Sequence, residues 1–155
     1  MKKIILLFAF AVVFASCKSN PVSALDTKAQ VAFKGNWTIS KVSYVGSEYF
    51  KVNAFQIADS KCFEGSKWSF ISNNNKGQME LTQANCPSFS SPIVWSINKE
   101  GNFGLKIVNA GEKAKKVLEG YYLKVANQTP NSFQLIDRMD IGGKMSDVVY
   151  QFEKN

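Results

Sequence analysis

The chain has 155 residues, 45% of them apolar, 13% aromatic and 20% charged, with a net charge of +7 and no histidine. That length allows one domain with an adequate core, and without histidine neither a zinc site nor a cysteine nucleophile has its usual partner. The positive charge is spread singly except at Lys113, Lys115 and Lys116, which describes a solvated surface rather than a nucleic-acid stripe.

Lys2 and Lys3 precede an apolar run from Ile4 to Ala15, too short to cross a bilayer as a helix and built like a secretory signal. Phe14-Ala15-Ser16-Cys17 resembles a bacterial lipobox, in which the cysteine is lipidated and becomes the mature N-terminus; the other reading is an ordinary cleaved signal with a chance cysteine. Three units are expected: a signal peptide at 1–16, a lipidated tether at 17–34, and a β-barrel domain at 35–155. Removing 1–16 leaves 17 Lys and Arg against 12 Asp and Glu, a net +5. Within the tether, 27–33 is expected to form a short helical turn under the barrel.

Period-two alternation then predicts eight strands at about 36–45, 67–72, 77–83, 91–98, 102–108, 117–126, 132–139 and 144–153. In the first, Trp37 and Ile39 fall on one parity and Val42 and Tyr44 on the other, which predicts a bulge near Ser40. The segment 45–66, with Phe50, Phe55 and Ile57, is a long insertion, and insertions of this length carry function or structure of their own. Three hairpins follow from facing apolar residues: Phe70 with Met79 and Trp68 with Leu81; Ile93, Trp95 and Ile97 with Ile107, Leu105 and Phe103 across Lys99-Glu100-Gly101; and Val125 and Leu123 with Phe133 and Leu135. A fourth places Phe133 and Leu135 opposite Tyr150 and Val148 across Asp140 to Gly143. One apolar face is thereby shared by successive strands, as a continuous core requires. An antiparallel meander of this kind has to close into a barrel or split into a sandwich to remove its edges.

If Cys17 carries lipid, Cys62 and Cys86 remain, an even pair in an exported domain. The first hairpin brings them within about one residue of each other, so a disulfide between them is expected, tying the insertion to the rim.

Gly35-Asn36-Trp37 at the head of the first strand resembles the entry motif of the lipocalins, and the eight strands after it follow the family's order. The resemblance is closest to the short lipocalin-like lipoproteins of bacteria. It implies an all-β, eight-stranded antiparallel up-and-down barrel, with Gly35 turning the chain tightly and Trp37 lying across the floor. It also implies that 45–66 is a lid over an open mouth. The family's Thr-Asp-Tyr block is absent, and its arginine over the floor tryptophan has no counterpart. Arg138 lies at the mouth end, and Lys154 is the nearest substitute.

The inward set includes Trp68, Phe70, Trp95, Phe103, Tyr121, Leu123, Phe133 and Tyr150, which with Arg138 at the rim are the candidate ligand-binding residues. Either these line a pocket for a small hydrophobic or amphipathic ligand, or so many aromatics fill an eight-stranded barrel. Glu119 and Asp137 fall on inward registers, Asp137 opposite Tyr121, and such an acid and tyrosine are more often a structural pair than a catalytic one. No metal, cofactor or catalytic site is expected. The mouth connections and strand ends carry Lys51, Lys61, Lys67, Lys113, Lys115, Lys116, Arg138 and Lys144 against Glu48, Asp59, Glu64, Glu112 and Asp140, predicting a positive rim that favours an anionic head. The function expected is that of a non-enzymatic, monomeric lipoprotein in the envelope of a Gram-negative bacterium, outer membrane favoured, binding such a ligand. The alternative is a filled-barrel interaction or inhibitor protein whose lid contacts an envelope partner.

Overall fold

Alternating burial builds a closed antiparallel barrel of eight strands, β1 (Gly35–Tyr44), β4 (Lys67–Ile71), β5 (Lys76–Glu80), β6 (Ser90–Ile97), β7 (Asn102–Ile107), β8 (Tyr121–Ala126), β9 (Ser132–Ile141) and β10 (Lys144–Lys154). Each strand pairs with its sequence neighbour, and β1 closes the ring by pairing with both β4 and β10. The computed structural model describes residues 27–44, 51–109 and 113–155. The expected signal peptide, Cys17, the first part of the tether and positions 45–50 of the insertion lie outside the described residues.

The first strand bends where expected. Its pairing with β10 slips between Ile39 and Lys41, so Ser40 is the bulged residue and Trp37, Ile39 and Val42 all end up buried. The bulge also turns β1 away from β4. Beyond Thr38, Ile39 exchanges backbone hydrogen bonds with Ser66 (3.1 Å) and Gly65 (2.7 Å), and the Val42 amide donates to Glu64 Oε1 (2.9 Å).

One hairpin forms with the expected register: Ile93, Trp95 and Ile97 face Ile107, Leu105 and Phe103, with Gly101 at φ +78° in the left-handed conformation. The other three are each corrected by two residues. Trp68 faces Met79 and Phe70 faces Gly77, because a Cβ at position 77 would run into the Ser69 carbonyl and press on Ile93. Val125 faces Leu135, because within the connection Thr129 to Ser132 turns back on itself, closed by Thr129 N to the Ser132 carbonyl (2.7 Å), and the first cross-strand pair is Ala126 with Gln134. Phe133 faces Phe152 and Leu135 faces Tyr150, because Gly142 and Gly143 both take positive φ (64° and 86°) in a two-residue turn whose twist suits a hairpin. A slip of two preserves parity, so the inward set is unchanged. The expected strand 117–126 starts only at Tyr121, after a 3-10 turn at Ala114–Lys116.

The insertion has structure of its own. A two-stranded ribbon, β2 (Asn53–Ala54) and β3 (Ala58–Asp59), leads into a 3-10 turn at Ser60–Phe63. Cys62 is bonded to Cys86. Gln83 adds hydrogen bonds from its amide to the carbonyls of Lys61 (2.9 Å) and Glu64 (2.8 Å), so the base of the lid is fastened to the rim.

The helical turn expected at 27–33 is present as α1 (Thr27–Phe33). Phe33 is fully buried, which carries the folded unit back beyond the boundary expected at residue 35.

Candidate functional site

The floor is built around the Trp37 indole, which bonds to a backbone carbonyl and is covered by a lysine. Trp37 Nε1 donates to the Phe33 carbonyl (2.9 Å), satisfying the one polar group of a fully buried indole. Lys154 Nζ sits 5.5 Å from the centre of the Trp37 ring, within the range of a cation–π contact. Lys154 therefore occupies the place over the floor tryptophan for which the sequence offers no arginine. Gly35, at φ +135°, supplies the turn before Trp37 that a side chain would strain.

Above the floor the candidate aromatics pack against each other. Phe33, Phe70, Trp95, Phe103, Phe133 and Phe152 form one cluster with ring centres from 4.4 Å (Phe33 to Phe133) to 6.4 Å apart in the contacting pairs. Trp68 joins through Phe152 at 5.7 Å. The other two indoles are also satisfied, Trp68 on Ser66 Oγ (2.8 Å) and Trp95 on the Lys76 carbonyl (3.0 Å). Trp68, Phe70, Trp95, Phe103, Leu123, Phe133 and Tyr150 are all 3% exposed or less. A void wide enough for water would leave accessible surface on its walls, so the deep half of the barrel around these residues is filled.

The lid completes the upper layer. Phe55, at the tip of the β2–β3 ribbon, reaches Phe63 (5.2 Å), Tyr121 (5.1 Å) and Tyr150 (5.4 Å), and its carbonyl accepts a hydrogen bond from the Tyr121 hydroxyl (2.9 Å). Both Phe55 and Gln56 have positive φ, 51° and 56°. A bulky residue held there costs on the order of 1–3 kcal/mol and persists only when its surroundings hold it.

Beside this tip the molecule opens. A cleft of about 360 Å³ lies between lid and rim, walled by Phe55, Ile57, Phe89, Ile107, Val117 and Tyr121, with Glu119 the only charged lining residue among the described residues. Tyr121 is the one candidate residue that reaches it. Arg138 does not: burial alternates along β9, so Arg138 is exposed on the outward parity while Asp137 points to the interior side. The expected positive rim is likewise corrected where the structure describes it. Lys51, Lys61, Lys67, Lys113, Lys115, Lys116 and Lys144 are exposed and none lines the cleft. Lys61 is turned to the Val42 carbonyl and Glu64.

The acid and tyrosine groups separate differently from the expected pairing. Tyr121 lies opposite Leu105 and Asp137 opposite Val148, and Glu119 is exposed rather than inward. Burial pushes the Asp137 carboxyl above the usual carboxylate range. Burial, then the Glu119 and Asp137 carboxylates, push the Tyr121 phenol up, and burial with Asp137 and Asp59 raises Tyr150 much further. The Tyr150 hydroxyl is buried without a hydrogen-bond partner. Sequence reasoning missed Phe33, Phe55, Phe63 and Phe152 as interior residues and the half-buried Phe89 as a cleft wall; for the lid the available signal was that apolar side chains in a long connection still need burial.

The strand order, the floor tryptophan over a short helix and the tethered lid define a lipocalin-like barrel. No family model and no curated protein matches the chain. Among solved structures it is similar to an odorant-binding protein at 9% identity and a TM-score of 0.45, covering 81% of this chain and 73% of that one. It is also similar to the bovine odorant-binding protein in complex with a selenium-containing odorant, at 9% identity and a TM-score of 0.44, covering 81% and 72%.

Proposed function

We propose that this protein is a non-enzymatic lipoprotein of the bacterial cell envelope, held by lipid on Cys17 at a membrane, the outer one favoured, whose barrel mouth binds a small hydrophobic or amphipathic ligand. The observation that carries the binding half is the cleft whose apolar wall is Phe55, Phe89, Ile107 and Tyr121, with Gln56, Asn109 and Glu119 as its polar side. At about 360 Å³ it falls at the small end of ligand pockets. Burying roughly 300 Å² of apolar ligand surface at about 25 cal/mol per Å² contributes about 7 kcal/mol before association costs, less than the roughly 8 kcal/mol net that a micromolar Kd requires, so affinity weaker than micromolar is expected.

A polarity-sensitive naphthylamine dye tests this. Its emission should rise and shift to the blue with the wild type, and Phe89→Asp should weaken binding about tenfold by placing a charge on the cleft wall. Tyr122→Asp, on the exposed outer face of β8, should leave it unchanged. Equal loss in both variants, or no binding to the wild type, goes against a mouth site. The filled deep interior favours a second reading in that case, an interaction or inhibitor protein whose lid at 45–66 contacts an envelope partner. For the anchor, radiolabelled palmitate should enter the wild type and not Cys17→Ala; equal labelling of the two, or none of either, sinks it.

A further inference from the structure

We propose that the ligand is an amphiphile carrying a protonated amine, and that its site lies beneath Phe55, where the ammonium meets the Asp137 carboxylate and the Tyr150 hydroxyl while the apolar body replaces the Phe55 ring and extends into the cleft. This rests on the mouth-site reading above and names the chemistry of its ligand. The first ground is a buried polar group with nothing to bind. Tyr150 is 1% exposed, yet its hydroxyl has no partner, and an unmet buried hydroxyl is costly enough that native chains rarely keep one without a use.

The second ground is what lies near it. Asp137 takes the inward parity on β9 between Leu135 and Met139 and makes no ion pair or hydrogen bond among the described residues. Val148 faces Asp137 and Tyr150 faces Leu135, so Asp137 and Tyr150 are diagonal neighbours on the inward face. Tyr121 and Tyr150 both pack on the Phe55 ring, at 5.1 and 5.4 Å, which places one carboxylate and two phenols beneath the lid. Glu119 adds a carboxylate at the cleft. All four acidic or phenolic groups accept hydrogen bonds from an ammonium, and a carboxylate head would be repelled by the two carboxylates among them. None of the exposed lysines around the mouth lines the cleft.

Phe55 connects the two halves. Its ring packs on Tyr150 at 5.4 Å and also lines the cleft, so it stands between the opening and the buried polar pair. The tip that carries it is closed on itself by Ile57 N to the Ala54 carbonyl (3.0 Å), is joined to the barrel wall by the hydrogen bond from Tyr121, and sits on two left-handed, non-glycine residues. The base of the same lid is fixed by Cys62–Cys86. A tip so placed gives way at Phe55 and Gln56 while the base stays, and an entering apolar chain regains the contacts that the ring gives up.

The test is calorimetric titration at neutral pH with octylamine, octanol and octanoate, which share a chain and differ in head charge, against the wild type, Phe55→Ala, Asp137→Asn and Tyr150→Phe. Octylamine should bind the wild type about tenfold more tightly than octanol, with octanoate weakest. Asp137→Asn should erase the amine preference and leave octanol unchanged, Tyr150→Phe should reduce it, and Phe55→Ala should tighten octylamine and octanol alike. The wild-type ranking stands without any variant, so a variant that fails to fold does not decide the outcome. If octanol or octanoate binds as well as octylamine, or if the preference survives Asp137→Asn, the amine site is wrong and the mouth-site reading remains. If no compound binds the wild type or Phe55→Ala, both fall.

Discussion

Phe33→Ala should destabilise the fold by about 3–5 kcal/mol, the usual cost of emptying a buried phenylalanine site, although the residue lies before the first strand. Its ring is fully buried and lies 4.4 Å from Phe133 and 5.7 Å from Phe103, contacts that add to simple burial. The alanine would retain the carbonyl that accepts from Trp37, so the loss measures the ring. For a domain with total stability of about 5–15 kcal/mol this is a large share, and a fall in the thermal midpoint of roughly 10 °C is expected. The midpoint in urea should drop with the slope unchanged. Val31→Ala, on the exposed side of the same helix, should cost under about 0.5 kcal/mol. Equal small effects from both would show that α1 is not part of the cooperative unit.

Removing the disulfide should have an effect of similar size by a different route. Cys62 and Cys86 are 24 residues apart, and in the chain-entropy account closing such a loop restricts the unfolded chain by about 3 kcal/mol. Cys62→Ser with Cys86→Ser should therefore lower the thermal midpoint by roughly 10 °C. Amide exchange should quicken most at 52–66, because the covalent tie of the lid is lost while Gln83 still bonds to Lys61 and Glu64. Both thiols found free in protein isolated from its own cells, or a midpoint that does not move on reduction, would refute this.

These two residues sets differ in how readily the chain announces them. The cysteine pair was legible from count, compartment and hairpin geometry, and it withstands the correction of the β4–β5 register because the two sulfurs sit within about one residue of each other under either pairing. Phe33 was not legible as a core residue, since a helix of seven residues carries too little periodicity to say which ring enters the barrel. Phe55 was visible only as an apolar residue in a long connection.

Parity is what the amino-acid order determined here. Apolar residues two apart in β4, β6, β7, β9 and β10, and the change of parity at Ser40, specify an eight-stranded barrel and nearly all of its inward face, because strand side chains alternate with a period of two whatever their partners. Register was decided by turn chemistry in three dimensions: two glycines at positive φ after Ile141, a closed turn at Thr129 to Ser132, and the lack of room for a Cβ at Gly77 each moved a hairpin by two residues. Only the tertiary structure decided that the deep barrel is full, that no lysine of the rim lines the cleft, and that Phe55 covers Tyr150. Those outcomes depend on volumes and directions summed over many strands and the lid, which no local pattern encodes.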